Sequence, residues 1–317
     1  MNIVILDGKT TNPGDISWEP LETLGNLTIY DDTPAELVTE RAKDADAVII
    51  NRIVMSRDVM KSLPKLKYIG LFATGYNAVD TDAATEFGIT VCNVPFYCVE
   101  TVAQQAFALL LELCNHVYAH SELIKRDCYQ KSIAINYSSH PMFELFGKTL
   151  GIVGYGNIGR TVANLGRALG MKILVYSKNK KELPEGDEQV RLEELFERSD
   201  VVSLHCALNN ETRELVNRDL LSKMKNTAFL INTSRGGIIN EQDLADALNN
   251  GVIGGAGLDV LTKEPPEDDC PLIHAKNIVL TPHIGWASRD ARSRLVGIVA
   301  DNLKCWQNGR PQNKVNA

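Results

Sequence analysis

The chain has 317 residues, 44% of them hydrophobic and 23% charged, which is typical of a globular protein large enough for two domains. Acidic residues outnumber basic ones 40 to 33, the formal net charge is −7, and no dense basic run occurs. Nucleic acid and anionic membranes are therefore not expected as partners. The N-terminus MNIVILDGKT has no basic segment ahead of its apolar run, and no stretch approaches the roughly 18 apolar residues of a membrane span, so neither a signal peptide nor a membrane helix is predicted.

The seven cysteines are scattered along the chain, without a C-x-x-C pair and without a Cys/His grouping at zinc-ligand spacing. Reduced thiols in a cytoplasmic protein are the simplest interpretation. No metal site is predicted.

Short β-branched runs alternate with helical patterns along most of the chain. The runs predicted as strands are NIVIL, LTIY, DAVII, KYIGLF and ITVC in the first part, then TLGIVG, KILVYS, DVVSLHC, TAFLINT, VIGGAGLDV and NIVLTP over residues 149–282. Helical patterns such as PAELVTERAKDA and EQDLADALNN lie between them. This alternation predicts an α/β fold with parallel sheets covered by helices on both faces, and the nearly continuous apolar strands suit burial on both sides.

Two longer helical patterns interrupt this alternation, one from about Val99 to His120 and the other from about Ala287 to Gln307. Each lies where one series of strands and helices stops and another begins or ends. We therefore expect them to connect two doubly wound domains, residues 1–98 with 287–317 and residues 99–286. The segment 126–147 has weak periodicity and is expected to be an excursion before the second domain's first strand.

A glycine-rich turn follows the strand TLGIVG. Gly154, Gly156 and Gly159 form the pattern G-x-G-x-x-G between a predicted strand and a predicted helix. The first glycine permits a tight turn, the second lets a pyrophosphate approach the backbone, and the third allows close packing of helix on strand. Because a helix N-terminus also attracts phosphate, the sequence predicts a dinucleotide-binding Rossmann domain. The binding residues would be Gly154, Tyr155, Gly156, Asn157, Ile158 and Gly159.

The end of the next strand selects the coenzyme. An acidic residue there would accept hydrogen bonds from the ribose 2′-hydroxyl of NAD, whereas basic residues suit the 2′-phosphate of NADP. This position is Ser177, and Lys178, Lys180 and Lys181 follow it. The sequence therefore favours NADP(H), with NAD(H) as the alternative if the lysines only belong to a solvated loop.

Four side chains of catalytic type follow predicted strands in the same domain. Arg235 lies in NTSRGG, Asp259 and Glu264 in GLDVLTKEPP, and His283 in TPHIGW. In open α/β sheets ligands bind beyond the carboxyl ends of the strands, so these residues are expected at one crevice. Singly, each has an ordinary alternative: a surface arginine, a helix-capping glutamate, a histidine in a turn.

The residue types suit reduction of a keto acid. An arginine can hold a carboxylate with two parallel hydrogen bonds. A histidine can donate a proton to a carbonyl oxygen near neutral pH. A carboxylate beside that histidine stabilises its charged form and orients the ring.

The motifs GYGNIG, NTSRGGIINEQDLADAL, GAGLDV, EPP and TPHIGWAS resemble the D-isomer-specific 2-hydroxyacid dehydrogenase family over essentially the whole chain. The resemblance implies a Rossmann domain, a discontinuous flavodoxin-like substrate domain and a homodimer. It implies Arg235 as the substrate binder, His283 as the acid/base and Glu264 as its partner. Residues implied along the cofactor path are Ser177, Lys178, Cys206, Ala207, Thr212, Thr233, Arg235 and Asp259, with Asp259 near the nicotinamide carboxamide.

The first domain is most similar to the glycerate dehydrogenase, or hydroxypyruvate reductase, branch, in LKYIGLFATGYNAVD and ITVCNVPFYCVETVAQ. This resemblance implies reduction of hydroxypyruvate or glyoxylate to D-glycerate or glycolate. Backbone N–H groups of Ala73, Thr74 and Gly75 would bind the substrate carboxylate, beside Arg235 and His283, although a plain turn would also use glycine here. The segment 126–147 lacks the tryptophan expected of the branch, which leaves the substrate open.

Other members of the fold remain alternatives. Dehydrogenases for pyruvate or bulkier keto acids share the motifs. Formate dehydrogenases typically carry glutamine at the position of Glu264, and phosphoglycerate dehydrogenases often carry an added regulatory domain, for which residues after the last predicted helix leave no room. A dinucleotide-sensing corepressor would need a peptide cleft and long disordered tails, which are not expected here.

Overall fold

The computed structural model describes residues 1–125 and 141–317. The chain divides into two compact units, residues 1–98 with 286–317 and residues 99–285. The second boundary lies one residue before the position expected from the sequence. Within the described ranges, no helix is long and apolar enough to cross a membrane.

The first unit contains a five-stranded parallel sheet in the order β2-β1-β3-β4-β5. This is the flavodoxin-like order. Its strands are β1 (Asn2–Ile5), β2 (Asn26–Ile29), β3 (Ala47–Ile50), β4 (Tyr68–Leu71) and β5 (Thr90–Cys92). Its helices are α1 (Glu19–Glu22), α2 (Val38–Ala42), α3 (Arg57–Lys61), α4 (Thr81–Glu86) and the long α11 (Arg289–Gln307), with 3₁₀ turns at Gly8–Thr10 and Ala35–Leu37.

The central strands of this sheet are buried on both faces. All four residues of β3 and of β4 are buried, as the sequence predicts for parallel strands between helical layers. On one face the core includes Leu295, Val296 and Val299 of α11. Ser288 caps that helix by accepting a hydrogen bond from the N–H of Ala291.

The second unit contains a seven-stranded parallel sheet in the order β12-β11-β10-β9-β6-β7-β8. Its strands are β6 (Thr149–Val153), β7 (Lys172–Tyr176), β8 (Glu188–Gln189), β9 (Val201–Leu204), β10 (Phe229–Asn232), β11 (Gly255–Leu258) and β12 (Ile278–Leu280). Its described helices are α5 (Val99–Asn115), α6 (Val117–Lys125), α7 (Asn157–Ala168), α8 (Leu192–Arg198), α9 (Arg218–Leu221) and α10 (Glu241–Asn249), with a 3₁₀ turn at Gly236–Ile238. The predicted pair of doubly wound parallel sheets is confirmed.

One local prediction is wrong, and one short strand was not predicted. The pattern from Val99 to His120 is not one helix, because α5 ends at Asn115 and α6 begins at Val117. His116 between them has φ of 48°, a left-handed conformation that interrupts the helix. The short strand β8 was not predicted, since its two polar residues, one exposed and one half-buried, carry no apolar signal. Most of the excursion expected at 126–147 lies outside the described residues.

Candidate active site

The Rossmann sheet reverses its strand order between β6 and β9, the place where such sheets bind dinucleotides. Gly154 follows β6 with φ of 98°, a conformation that favours glycine. A Cβ at this residue would lie 2.6 Å from the backbone nitrogen of Cys206, which follows β9. The turn after β6 therefore packs directly on the segment after β9, and only glycine fits between them.

The next two glycines shape a pocket for a phosphate. Gly156 forms the N-cap of α7 without a side-chain cap, and a Cβ built on it would meet no atom within 4 Å. A Cβ on Gly159 would overlap the carbonyl oxygen of Gly154. The N–H groups of the first turn of α7 have no partner inside the helix and are available to a ligand. This arrangement fits the pyrophosphate of a nicotinamide dinucleotide.

The loop after β7 carries the residues proposed to read the ribose. The side-chain nitrogen of Gln189 donates hydrogen bonds to the carbonyl oxygens of Ser177 and Asn179, each at 3.1 Å. Exposed Lys178 extends its ammonium to the carboxylate of Glu211, at 2.9 and 2.8 Å from its two oxygens. Gln189 thus holds the loop backbone, and Glu211 is the acidic group beside the lysine.

The segment after β9 lies against the glycine-rich turn. Thr212 Oγ1 donates to the carbonyl oxygen of Ala207 at 2.7 Å and accepts from the N–H of Asn209 at 2.8 Å, which closes this loop on itself. Burial raises the pKa of the Cys206 thiol, so this sulfur stays protonated. Desolvation lowers the pKa of His205 to about 4, and its Nε2 lies 2.8 Å from Ser203 Oγ.

The turn after β10 presents Arg235. Asn232 is fully buried, and its side-chain oxygen accepts from the N–H and the hydroxyl of Ser234, at 3.0 and 2.8 Å. Its side-chain nitrogen donates to the carbonyl oxygen of Arg235 at 2.9 Å. The backbone under the exposed guanidinium is therefore held by one buried amide. Beside it, Thr233 Oγ1 is buried without a hydrogen-bond partner among the described residues, a polar atom of the kind a bound cofactor would satisfy.

The loop after β11 lies directly against this turn. A Cβ on Gly236 would overlap the backbone of Leu261 and Thr262, so the two loops touch backbone to backbone. Glu264 in the same loop folds back, and its Oε1 accepts from the N–H of Leu261 at 3.1 Å. Its other oxygen remains available to His283.

His283 Nδ1 lies 2.7 Å from Glu264 Oε2, and both side chains are about one-third exposed, at 33% and 37%. The histidine has φ of 55°, and its N–H donates to the carbonyl oxygen of Asp259 at 2.8 Å. The carboxylate contact orients the ring and directs Nε2 away from Glu264. This leaves one ring nitrogen for proton transfer.

The Asp259 side chain is 2% exposed and accepts hydrogen bonds from residues on either side of His283 in the sequence. Its Oδ1 accepts from Thr281 Oγ1 at 2.6 Å and from the N–H of Ile284 at 2.9 Å, and its Oδ2 accepts from the N–H of Gly285 at 2.8 Å. The Asp259 side chain thus holds the hydroxyl of Thr281 before His283 and the backbone of Ile284 and Gly285 after it. Its predicted contact with a nicotinamide carboxamide stays a prediction.

The predicted carboxylate loop lies in the first unit, after β4. Within the described part of the chain, none of the N–H groups of Ala73, Thr74 and Gly75 donates to another residue. The carbonyl oxygens of Ala73 and Thr74 do accept hydrogen bonds, from Val94 and Asn93. The loop is thus anchored through its carbonyl oxygens.

Three supporting residues escaped the sequence interpretation. Asn232 lies in the motif NTSRGG, but the residue type alone does not indicate that its side chain binds the backbone of the turn. Gly236 has an ordinary alternative as a flexible turn residue, and Gln189 lies in a stretch without any motif. In contrast, Arg235, Glu264 and His283 all lie in one unit, after strands that are neighbours in the sheet. Together with the glycine-rich turn after β6, which fits a dinucleotide, they define a nicotinamide-dependent oxidoreductase.

Comparison with known proteins agrees with this class. The model of the D-isomer specific 2-hydroxyacid dehydrogenase NAD binding domain matches residues 107–285. A hydroxypyruvate reductase from Blautia hydrogenotrophica is 44% identical over 321 residues, 100% of both chains, and a glycerate dehydrogenase from Methylorubrum extorquens is 40% identical over 90% of both. Among solved structures, an acyclic imino acid reductase in complex with NADPH and D-arginine is 32% identical with a TM-score of 0.86, over 99% of this chain and 100% of that one.

The chain therefore belongs to the D-isomer specific 2-hydroxyacid dehydrogenase family, as the motifs predict. It acts on small 2-keto and 2-hydroxy acids with a nicotinamide dinucleotide, and the unit 99–285 contains the dinucleotide-binding domain.

Proposed function

We propose that this protein reduces hydroxypyruvate to D-glycerate, with glyoxylate as a second substrate and NADPH as the favoured coenzyme. The contact between His283 Nδ1 and Glu264 Oε2 at 2.7 Å carries the proposal, because reduction of a ketone needs a proton donor and formate oxidation does not. The named activities of the hydroxypyruvate reductase and glycerate dehydrogenase relatives support this choice of substrate.

The three catalytic side chains have different tasks. When bound, the nicotinamide supplies or accepts the hydride. Arg235 holds the substrate carboxylate and stabilises the negative charge that develops on the carbonyl oxygen. His283 delivers a proton from Nε2 to that oxygen, while Glu264 orients the ring through Nδ1. In the reverse direction the same nitrogen accepts the proton of the hydroxyl group.

Lys178 supports the preference for NADPH. It follows Ser177 at the end of β7, where no acidic residue occupies the position that would bind a ribose 2′-hydroxyl. Its ammonium is exposed and can reach an added phosphate. The imino acid reductase of similar structure is itself described in complex with NADPH.

The loop of residues 73–75 supports recognition of the carboxylate by the first unit. Its carbonyl oxygens are engaged, whereas its N–H groups make no bond to other described residues. A row of N–H groups on a fixed backbone is suited to an anion. We assign it the substrate carboxylate.

A homodimer is the proposed oligomeric state. The second unit exposes large apolar side chains, including Val117, Tyr118, Ile124 and Phe146, at 62%, 70%, 52% and 74%. Apolar groups concentrated on one domain favour association with a second copy. Light scattering after size-exclusion chromatography should give twice the mass of the chain, and a single-chain mass would contradict the dimer.

The test of the proposed function is the initial rate with hydroxypyruvate, measured at 340 nm with NADPH and with NADH. Faster turnover with NADPH supports both substrate and coenzyme. Turnover with NADH alone keeps the reaction and overturns the coenzyme choice. Activity confined to pyruvate or bulkier keto acids would overturn the substrate, and no activity with any keto acid would favour a dinucleotide-sensing role.

Glu264→Gln tests the proton donor. The variant keeps a hydrogen-bonding oxygen but replaces the carboxylate that accepts from Nδ1 by a weaker neutral acceptor, so the ring is held less firmly and kcat for reduction of hydroxypyruvate should fall by about tenfold or more. Initial rates of both proteins at saturating substrate measure this. Equal kcat values would contradict the pairing.

A further inference from the structure

The carboxylate loop of the first unit is held by the segment that follows β5. Val94 donates its N–H to the carbonyl oxygen of Ala73 at 2.9 Å, and Thr74 Oγ1 donates to the carbonyl oxygen of Val94 at 2.9 Å. The side-chain nitrogen of Asn93 donates to the carbonyl oxygen of Thr74 at 2.7 Å. The backbone of the loop therefore depends on where Asn93 and Val94 lie.

Asn93 is in turn held by two other asparagines. Asn302 of α11 donates from Nδ2 to the carbonyl oxygen of Asn93 at 2.9 Å, and the N–H of Asn93 donates to the carbonyl oxygen of Asn313 at 3.1 Å. Asn313 Nδ2 donates to Asn302 Oδ1 at 2.8 Å, which closes a ring of three residues. We call Asn93, Asn302 and Asn313 the asparagine ring.

The chemistry of the ring requires amides. Asn302 is 1% exposed and uses its side-chain nitrogen and its side-chain oxygen at the same time, as donor to Asn93 and acceptor from Asn313. A carboxylate at this position could accept but not donate. Because the group is buried, a lost bond would leave a polar atom without a partner, and its neighbours would move to satisfy it.

Asn313 brings the C-terminal tail into this ring. Its φ is 53°, which turns the tail so that Lys314 forms an antiparallel bridge with Cys92 of β5 and Val315 donates to Val91. Asn316 then accepts from the N–H of Val91 at 2.9 Å. The tail thus pairs with the outer edge of β5. Its residue Asn313 is hydrogen-bonded to Asn93 and Asn302, which hold the loop 73–75.

We propose that the asparagine ring positions the loop 73–75 for the substrate carboxylate, so that residues near the C-terminus set the affinity for the keto acid. The inference rests on the proposed role of this loop. The loop would contact the carboxylate both in the ground state and in the transition state, because the carboxylate does not react. A displaced loop therefore raises KM and leaves kcat nearly unchanged.

The main variant is Asn302→Asp. It retains the oxygen that accepts from Asn313 but places a carboxylate oxygen against the carbonyl oxygen of Asn93, where the wild type has a donor. We expect KM for hydroxypyruvate to rise about tenfold, with kcat and the KM for NADPH within about twofold of the wild type. KM for glyoxylate should rise by the same factor, since the loop contacts only the shared carboxylate.

Two further variants separate positioning from folding. Asn313→Gly removes one hydrogen bond of the ring while glycine accepts the left-handed backbone, and KM should rise about threefold. Asn316→Ala is the matched control, because its side chain joins the tail to β5 and to the carbonyl oxygen of Ile89 without contacting the ring. KM should not change in this variant.

The outcomes are distinguishable. If the wild type does not reduce any keto acid, the proposed function fails before the ring is tested. If it does, a wild-type KM in both Asn302→Asp and Asn313→Gly overturns the inference. An equal rise of KM in Asn316→Ala, or a fall of kcat together with NADPH affinity, would make the tail a general stabiliser and would also overturn it.

Discussion

Gly236→Ala is the substitution whose effect on the active site follows most directly from the structure. A Cβ at this residue would overlap three backbone atoms, the carbonyl carbon and oxygen of Leu261 and the nitrogen of Thr262. No side-chain rotation relieves this overlap. The turn that carries Arg235 must therefore move away from the loop that carries Glu264.

The size of this displacement determines the expected loss of catalytic rate. The added methyl would lie far inside the 3.0 Å that real Cβ atoms keep from their neighbours. A backbone shift of roughly 1 Å is needed, and displacements of this size cost on the order of 100-fold in rate when they separate catalytic groups. Overpacking of this kind destabilises a fold by about 1–3 kcal/mol, which leaves the protein folded at room temperature.

Gly237→Ala provides the matched control. A Cβ at this neighbouring residue would lie 3.2 Å from a methyl group of Leu208, a flexible side chain that can move aside. The assay is kcat/KM for keto-acid reduction at 25 °C, with thermal denaturation of each variant measured in parallel. We expect a fall of about 100-fold in Gly236→Ala and less than threefold in Gly237→Ala. Equal activities in the two variants would refute the argument that the close approach at Gly236 aligns Arg235 with Glu264.

Two other predictions concern the coenzyme preference and the loss of stability at acidic pH. Glu211→Gln removes the carboxylate that pairs with Lys178, so the ratio of kcat/KM for NADPH over NADH should rise about two- to fivefold, and an unchanged ratio would show that Glu211 does not compete with a 2′-phosphate. His205, with its folded pKa near 4 against an ordinary value of about 6.5, binds its proton more readily in the unfolded chain, so its contribution to stability is present above about pH 6.5 and is lost as the pH falls toward 4. In urea titrations between pH 7 and pH 5, the free energy of unfolding of His205→Gln should fall by about 2 kcal/mol less than that of the wild type. Parallel losses would contradict this assignment.

Local sequence patterns were sufficient to predict the fold. Buried parallel strands need apolar residues in unbroken runs, and helices of about ten residues need an apolar face. Both patterns are visible in the amino-acid sequence. The break between α5 and α6 is different, because the left-handed backbone at His116 has no such signal and helical periodicity continues across it. The strand β8 was missed because its two polar residues carry no apolar signal.

The side chains proposed as catalytic could also be selected from the sequence, because their chemistry restricts their type. Few residues can hold a carboxylate or transfer a proton near neutral pH, and the carboxyl ends of parallel strands place them at one edge of the sheet. Arg235, Glu264 and His283 satisfy both conditions in the amino-acid sequence alone. The 2.7 Å contact between the last two adds their geometry.

The residues that support the site depend on contacts between segments far apart in the chain. Asn93 and Asn302 are 209 positions apart, and Lys178 and Glu211 are 33 apart. An asparagine or a glycine has many uses, so its type does not identify its partner. The amino-acid sequence by itself determined the sheets, the dinucleotide motif and the residues proposed as catalytic groups, because local periodicity and side-chain chemistry specify these. Only the tertiary structure decided which backbone each supporting residue holds, because that depends on the packing of distant strands and helices.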